Sequence, residues 1–322
     1  MTVNWAILGA GKFAREHMGP AIHAASGARL AALATSSAEK AAPFLSLVPD
    51  MHVHNSYDAV LDDPTIDAVY VPLPNHLHIE WATKALNAGK HVLSEKPVAL
   101  KADDINPLIA LRDKSGLQAS EAFMIAHHPQ WHRVRHLLAD GAIGDLSHVD
   151  GIFTYNNPDR SNVRYDPSKG GGSLPDIGVY TIGGTRMVTG QDPSEITHTD
   201  IEMQGGVDVA ARVSARFDGF TAHWVTAMNI HAAQCMTFHG THGRIQMSAP
   251  FNPGKFGEAR IELSQEDGAT RVERWPSTRQ YVLQVEAFGA AIKGQGPFAW
   301  SLEDAQKTQT VIDAIYAASA IG

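Results

Sequence analysis

Short apolar runs recur through the first third of the chain, each followed by a stretch with helical spacing. Residues 3–8, 29–35, 52–56, 68–73, 91–95 and 117–123 read as six strands. Between them, residues from about 12 to 25 and from 75 to 88 read as helices, the second capped by Asn75 and stopped by Gly89. Such alternation predicts a doubly wound parallel sheet. After Gly144 the period shortens. Residues 147–155, 207–217, 221–230 and 233–239 alternate as long neighbouring strands, with Asp218-Gly219 as a hairpin turn and residues 240–243 as another. Residues 281–292 and 302–318 read as closing helices, the latter with a capping box from Ser301 and Asp304. The pattern predicts two domains. Residues 1–123 form the doubly wound one, and residues 124–322 form an α+β domain on a large, mostly antiparallel open sheet. The last helix is a candidate to pack back on the first domain.

Composition narrows the field. With 322 residues, 44% of them hydrophobic, the chain can bury a large core. A net charge of -8 argues against a nucleic-acid surface, so an anionic ligand must be held by local groups. The single Cys235 excludes an intrachain disulfide framework and fits a reducing compartment. No apolar run reaches transmembrane length, and no basic segment with a long apolar stretch opens the chain. The expectation is a cytoplasmic protein with no membrane partner.

The first strand runs into Gly9-Ala10-Gly11-Lys12-Phe13-Ala14, the spacing G-x-G-x-x-A. The first glycine permits a tight turn and the second lets a pyrophosphate approach the backbone. Ala14 lets the helix pack closely, and the helix points its positive end at the phosphates. This is the signature of a Rossmann dinucleotide site. At the end of the second strand an acidic residue would favour NAD. Here stands Thr35-Ser36-Ser37-Ala38-Glu39-Lys40, whose hydroxyls and ammonium suit a 2′-phosphate. The expected cofactor is NADP, with NAD as the alternative. Ser36 and Glu39 also have the spacing of a capping box, so the segment can serve to start the next helix.

Three further stretches carry candidate chemistry. His91-Val92-Leu93-Ser94-Glu95-Lys96-Pro97 ends a buried strand at a proline, and in an open parallel sheet that end faces the ligand crevice. Lys96 there either meets the ligand or extends its charge into water. In Asn75-His76-Leu77-His78 the two histidines lie on different sides of a helix, which argues against a metal pair. His128, His132 and His136 recur every four residues without a matching carboxylate or cysteine, and they read as a packed stripe. No metal site is expected. Beyond Asn162-Val163-Arg164, Gly170-Gly171-Gly172 read as a loop passing close to a ligand, followed by a helix with Asp176 and Tyr180 on one face. A carboxylate beside a phenol can bind sugar hydroxyls and move a proton. Equally, Asp176 can form a capping box with Ser173, and Tyr180 can be a satisfied core phenol.

The G-x-G-x-x-A start, the P-N-x-x-H segment and Glu-Lys-Pro at this distance resemble the glucose–fructose oxidoreductase / inositol dehydrogenase / MocA family over nearly the whole chain. The D-x-G-x-Y form at Asp176–Tyr180 resembles its aldose branch, with xylose and dihydrodiol dehydrogenases. The resemblance implies catalytic roles for Lys96, Asp176 and Tyr180, and a cis Lys96-Pro97 bond. The cofactor contacts expected are Gly9, Gly11, Lys12 and Phe13, then Thr35, Ser36, Ser37 and Lys40. Pro72, Asn75, His78, Glu95 and Lys96 follow, with Arg164 as either a cofactor contact or a surface charge. The implied activity is NADP-dependent oxidation of an aldopyranose at C1 to the lactone. Ketosugar reduction or diol oxidation by the same residues is the near alternative, and a non-catalytic cofactor-binding sensor the distant one. The implied partners are a sugar or polyol and a second copy of the chain, through the open sheet face.

Overall fold

A computed structural model describes residues 2–319, leaving Met1 and residues 320–322 outside the account. The chain forms two compact units. The first takes the chain up to His127 together with Arg279–Gln306; the second takes His128–Thr278 and the chain from Lys307.

In the first unit, β1 (Val3–Leu8), β2 (Ala28–Ala34), β3 (His52–His54), β4 (Ala68–Val71), β5 (His91–Ser94) and β6 (Ala119–Glu121) make one parallel sheet in the order β3-β2-β1-β4-β5-β6. This is the doubly wound arrangement that binds a dinucleotide beyond the carboxyl ends of its strands. Both faces of such a sheet are covered, which is why β4 and, Asn4 apart, β1 read as apolar runs and are almost wholly buried.

The expected boundary at 123/124 gives the first unit too little chain. The helix Gln280–Ile292 returns to it, setting Phe288 against Trp5 with ring centroids 5.2 Å apart. Trp300 stacks on Phe123 at 4.2 Å, and Leu302 and Ala305 complete the apolar core. Trp5, Phe288 and Trp300 are 0–2% exposed, and each large apolar side chain so buried contributes about 1.5–3 kcal/mol. Periodicity shows that 281–292 is a helix but not which sheet it covers.

The second unit carries an eight-stranded sheet: β7 (Leu146–Asn156), β8 (Glu195–Gln204), β9 (Val207–Arg216), β10 (Thr221–Ala227), β11 (Asn229–Gly240), β12 (Gly243–Met247), β13 (Ala259–Gln265) and β14 (Thr270–Trp275). Their order is β14-β13-β12-β11-β7-β10-β9-β8, antiparallel except where β10 runs parallel to β7. The helix Val179–Thr189 lies on one face. At Gly151 of β7 a side chain would meet Thr181, and the Trp224 indole N–H donates to Thr185 Oγ1 at 3.1 Å. The closing helix Leu302–Ser319 begins in the first core with Leu302. Its later turns bond second-unit residues, Thr308 to Arg186 and Tyr316 to Asp208.

Candidate active site

Gly9 follows β1 with φ +105, a conformation only glycine adopts without strain, and a Cβ there would press on Leu73 at 3.3 Å. At Gly11 a Cβ would meet nothing within 4 Å, so the backbone faces open space. A helix begins at Lys12, and its first turn has N–H groups with no partner within the helix. A positive φ, an open backbone and a helix N-terminus fit a pyrophosphate cradle. Lys12 and Phe13 are exposed at its rim.

At the end of β2 no carboxylate stands. The capping residue of the helix Ala38–Leu47 is Ser37, not Ser36: its Oγ accepts from the Lys40 N–H at 3.2 Å. Thr35 Oγ1 accepts from the Ser37 N–H at 3.2 Å. Ser36 and the Lys40 side chain are left exposed.

Beyond β4, Pro72 is half-buried and opens the loop. Asn75 lies inside a single 3-10 turn, Asn75–Leu77, and its side chain does not cap the helix His78–Asn87. His78, expected among the cofactor contacts, lies deeper. It is fully buried, with Nδ1 2.7 Å from the Pro97 carbonyl oxygen and Nε2 2.7 Å from that of Leu73. A ring so enclosed ties two loops together through both of its nitrogens. Burial pulls its pKa down to about 4, so near neutrality it donates only one of these two bonds.

The Lys96-Pro97 bond is cis, as expected. Glu95, expected at the cofactor, accepts from the Tyr70 hydroxyl at 2.6 Å through Oε1 and from the Lys96 N–H at 3.2 Å through Oε2. Lys96 itself is half-buried. A residue that sequence reasoning missed stands behind it. Glu121, 3% exposed, accepts from the Val98 N–H at 2.8 Å and from the Trp300 indole N–H at 3.0 Å. Burial pushes its pKa up to about 7, against the two donors and the Lys96 charge, which hold it down.

In the second unit, Asp176 is 8% exposed and sits in a π-helical turn, Leu174–Gly178, that leads into the helix Val179–Thr189. Such turns are rare and recur at functional sites. Asp176 does not cap with Ser173, whose hydroxyl instead donates to Asp208 Oδ2 at 2.7 Å. Its Oδ2 accepts from Arg164 Nε at 2.7 Å and from the Tyr155 hydroxyl at 2.6 Å. Arg164 thus belongs to the environment of this carboxylate, whose negative charge raises the guanidinium's pKa. Tyr155 was not foreseen. Burial first, and the Asp176 charge second, raise its phenol well above the ordinary range, so it acts as a donor. Tyr180, 6% exposed, packs its ring against both Phe153 at 5.7 Å and Phe251 at 5.6 Å, which stack on each other.

The glycine loop is close to protein. A Cβ on Gly171 would overlap the Arg164 carbonyl oxygen, and one on Gly172 would overlap Asp208 Oδ1. The small residues let the chain pack on its own backbone and on a buried carboxylate, so the ligand expected beside them is replaced by Asp208. His128 caps the helix Pro129–Ala139, with Nδ1 accepting from the Gln130 N–H at 3.1 Å. Among the described residues, no group of three or more His, Cys, Asp or Glu is placed to hold a metal ion, and no helix is long and apolar enough to cross a membrane.

A doubly wound sheet with an open glycine turn, a lysine at the crevice end of a strand and a carboxylate–tyrosine helix on a second sheet define a dinucleotide-dependent oxidoreductase. Residues 3–123 match the oxidoreductase family model with an NAD-binding Rossmann fold, and residues 131–246 match the C-terminal domain model of the same family. The chain belongs to the GFO/IDH/MocA family. It is 34% identical over 263 residues to a dTDP-3,4-didehydro-2,6-dideoxy-alpha-D-glucose 3-reductase from Actinomadura kijaniata, covering 80% of this chain and 78% of that one. To the D-xylose 1-dehydrogenase (NADP(+)) 2 of Haloferax volcanii it is 32% identical over 272 residues, covering 84% and 83%. Among solved structures, a 3-ketoreductase from Actinomadura kijaniata in complex with NADP and TDP-benzene superposes with a TM-score of 0.91 at 29% identity, covering 98% of each chain. An aldose-aldose oxidoreductase from Caulobacter crescentus complexed with glycerol gives 0.90 at 26%, covering 100% and 98%.

Proposed function

We propose that the protein is an NADP-dependent sugar oxidoreductase that oxidises an aldopyranose at C1 to the lactone. The observation that carries the reading is the Asp176 carboxylate, gripped on one oxygen by Arg164 and Tyr155 and set one helical turn before Tyr180. A carboxylate so fixed orients a sugar hydroxyl, and a tyrosine one turn away, ionised to the phenolate under the influence of the Lys96 charge, takes a proton. Bound at the Gly9–Phe13 turn, the nicotinamide cofactor supplies the hydride acceptor. Tyr180 receives the proton of the reacting hydroxyl, and the Lys96 ammonium stabilises the negative charge that develops on that oxygen. Asp176 holds a neighbouring hydroxyl. Exposed Ser36 and Lys40, with no carboxylate at the end of β2, favour a 2′-phosphate and hence NADP.

A second reading, reduction of a ketosugar by the same residues, is favoured by the 3-reductases among the relatives. A purely sensing role leaves Lys96, Asp176 and Tyr180 together unexplained. The test is absorbance at the reduced-nicotinamide band with NADP or NAD across D-xylose, D-glucose, D-galactose, myo-inositol and a cyclic diol, and with NADPH and 1,5-anhydro-D-fructose. A rise with NADP and an aldose is expected, and a signal only with NADPH and the ketosugar moves the assignment to the second reading. In the active direction, Lys96→Ala and Tyr180→Phe each lower kcat by more than about tenfold, or the assigned role is wrong. The homo-oligomer expected through the open sheet face is tested by sedimentation velocity.

A further inference from the structure

The main chain around Lys96 is held by its neighbour Glu95 and by side chains from other elements. Upstream, Glu95 accepts the Lys96 N–H and is itself fixed by the Tyr70 hydroxyl. Downstream, the Pro97 carbonyl oxygen lies 2.7 Å from His78 Nδ1, and the Val98 N–H donates to Glu121 Oε2 at 2.8 Å. Of these groups, Glu121 is the one whose burial most needs explaining. A carboxyl 3% exposed gives up its hydration, and an apolar residue of its size would pack there without that loss. What it does in return is specific. Its two oxygens take two donors, one from the segment that follows Lys96 and one from Trp300, whose indole is locked by stacking on Phe123.

The geometry points to Glu121 as a positioning residue for Lys96: anchored by Trp300, it fixes the Val98 N–H and so the direction in which the Lys96 side chain leaves the strand end. It touches neither cofactor nor substrate and acts through the backbone. The inference rests on the proposed reading in which Lys96 stands at the nicotinamide.

The test separates the two. Lysine acetylation by acetic anhydride is followed by mass spectrometry with and without saturating NADP+, with the exposed Lys255 as internal reference. In the wild type, NADP+ slows acetylation of Lys96 relative to Lys255 by at least about fivefold, the equivalent of one hydrogen bond. In Glu121→Gln and Glu121→Leu, NADP+ still binds by calorimetry, within about threefold of the wild-type Kd, because the phosphate cradle is untouched. Its protection of Lys96 falls below about twofold, and the Val98 amide exchanges its hydrogen at least about tenfold faster. Should Leu prevent folding, the Gln variant carries the test. Full protection in a folded Glu121 variant overturns the inference and leaves the reading of Lys96 intact. Absence of protection in the wild type overturns that reading, and the inference with it.

Discussion

Two buried titrating residues frame Lys96, and their pKa values move in opposite directions. Glu121 rises from 4.5 to about 7, chiefly by burial. Between those values the folded protein keeps a proton that the unfolded chain has lost, so stability from this group is complete below about pH 4.5 and declines as pH rises towards 7. A shift of this size is worth roughly 3 kcal/mol. His78 falls from 6.5 to about 4, so its contribution is complete above pH 6.5 and is lost as pH falls towards 4. In the wild type the two slopes oppose each other where they overlap. Glu121→Gln removes one of them. Urea unfolding at pH 5, 6, 7 and 8 is expected to show this variant gaining on the wild type by about 2.5 kcal/mol as pH rises, and a pH-independent difference would mean that Glu121 titrates as an ordinary carboxyl.

Among the elements, the turn that presents Asp176 is the most constrained. Gly172 has φ +132, and the place of its missing Cβ is filled by Asp208, which also accepts from the Ser173 hydroxyl, the Leu174 N–H and the Tyr316 hydroxyl. Gly172→Ala is expected to cost about 3 kcal/mol or more, from backbone strain and the contact with Asp208 together. The measurement is thermal unfolding, and an unchanged midpoint would refute this packing. Here sequence reasoning meets its limit. The spacing of Asp176 and Tyr180 is local and could be read directly. So could Gly9–Phe13, where conformation follows residue type. The partners of Asp176 and of the Lys96 segment could not: Tyr155 lies 21 positions from Asp176 and meets it by packing of the helical turn on β7, and Glu121 lies 25 positions from Lys96 and reaches the Val98 N–H through the pairing of β5 with β6. The same holds for strands. Doubly buried β1 and β4 announce themselves, whereas the edge strand β8, Glu-Ile-Thr-His-Thr-Asp-Ile-Glu-Met-Gln, is too polar to stand out. The glycine loop misled because a close approach of backbone looks the same in sequence whether the neighbour is a ligand or Asp208.

For the whole molecule, what matters is that the first unit is not one continuous piece of chain. Its core needs Phe288, Trp300 and Leu302 as well as β1–β6. A fragment ending at residue 123 leaves Trp5 and Phe123 without these neighbours. It is expected to lose fixed tertiary packing, with near-ultraviolet circular dichroism collapsed and a hydrophobic dye bound. A fragment with a sharp cooperative transition would show that the returning helix is dispensable.

That returning segment also sets an order of events during synthesis. A chain leaving the ribosome exposes β1–β6 first, but the residues that close their core lie beyond the intervening His128–Thr278. At about 5–20 residues per second, that interval lasts roughly ten to thirty seconds. For that time a parallel sheet stands with an apolar flank uncovered, and the nascent protein depends on chaperones or on a partly ordered, reversible half-fold until its own tail arrives.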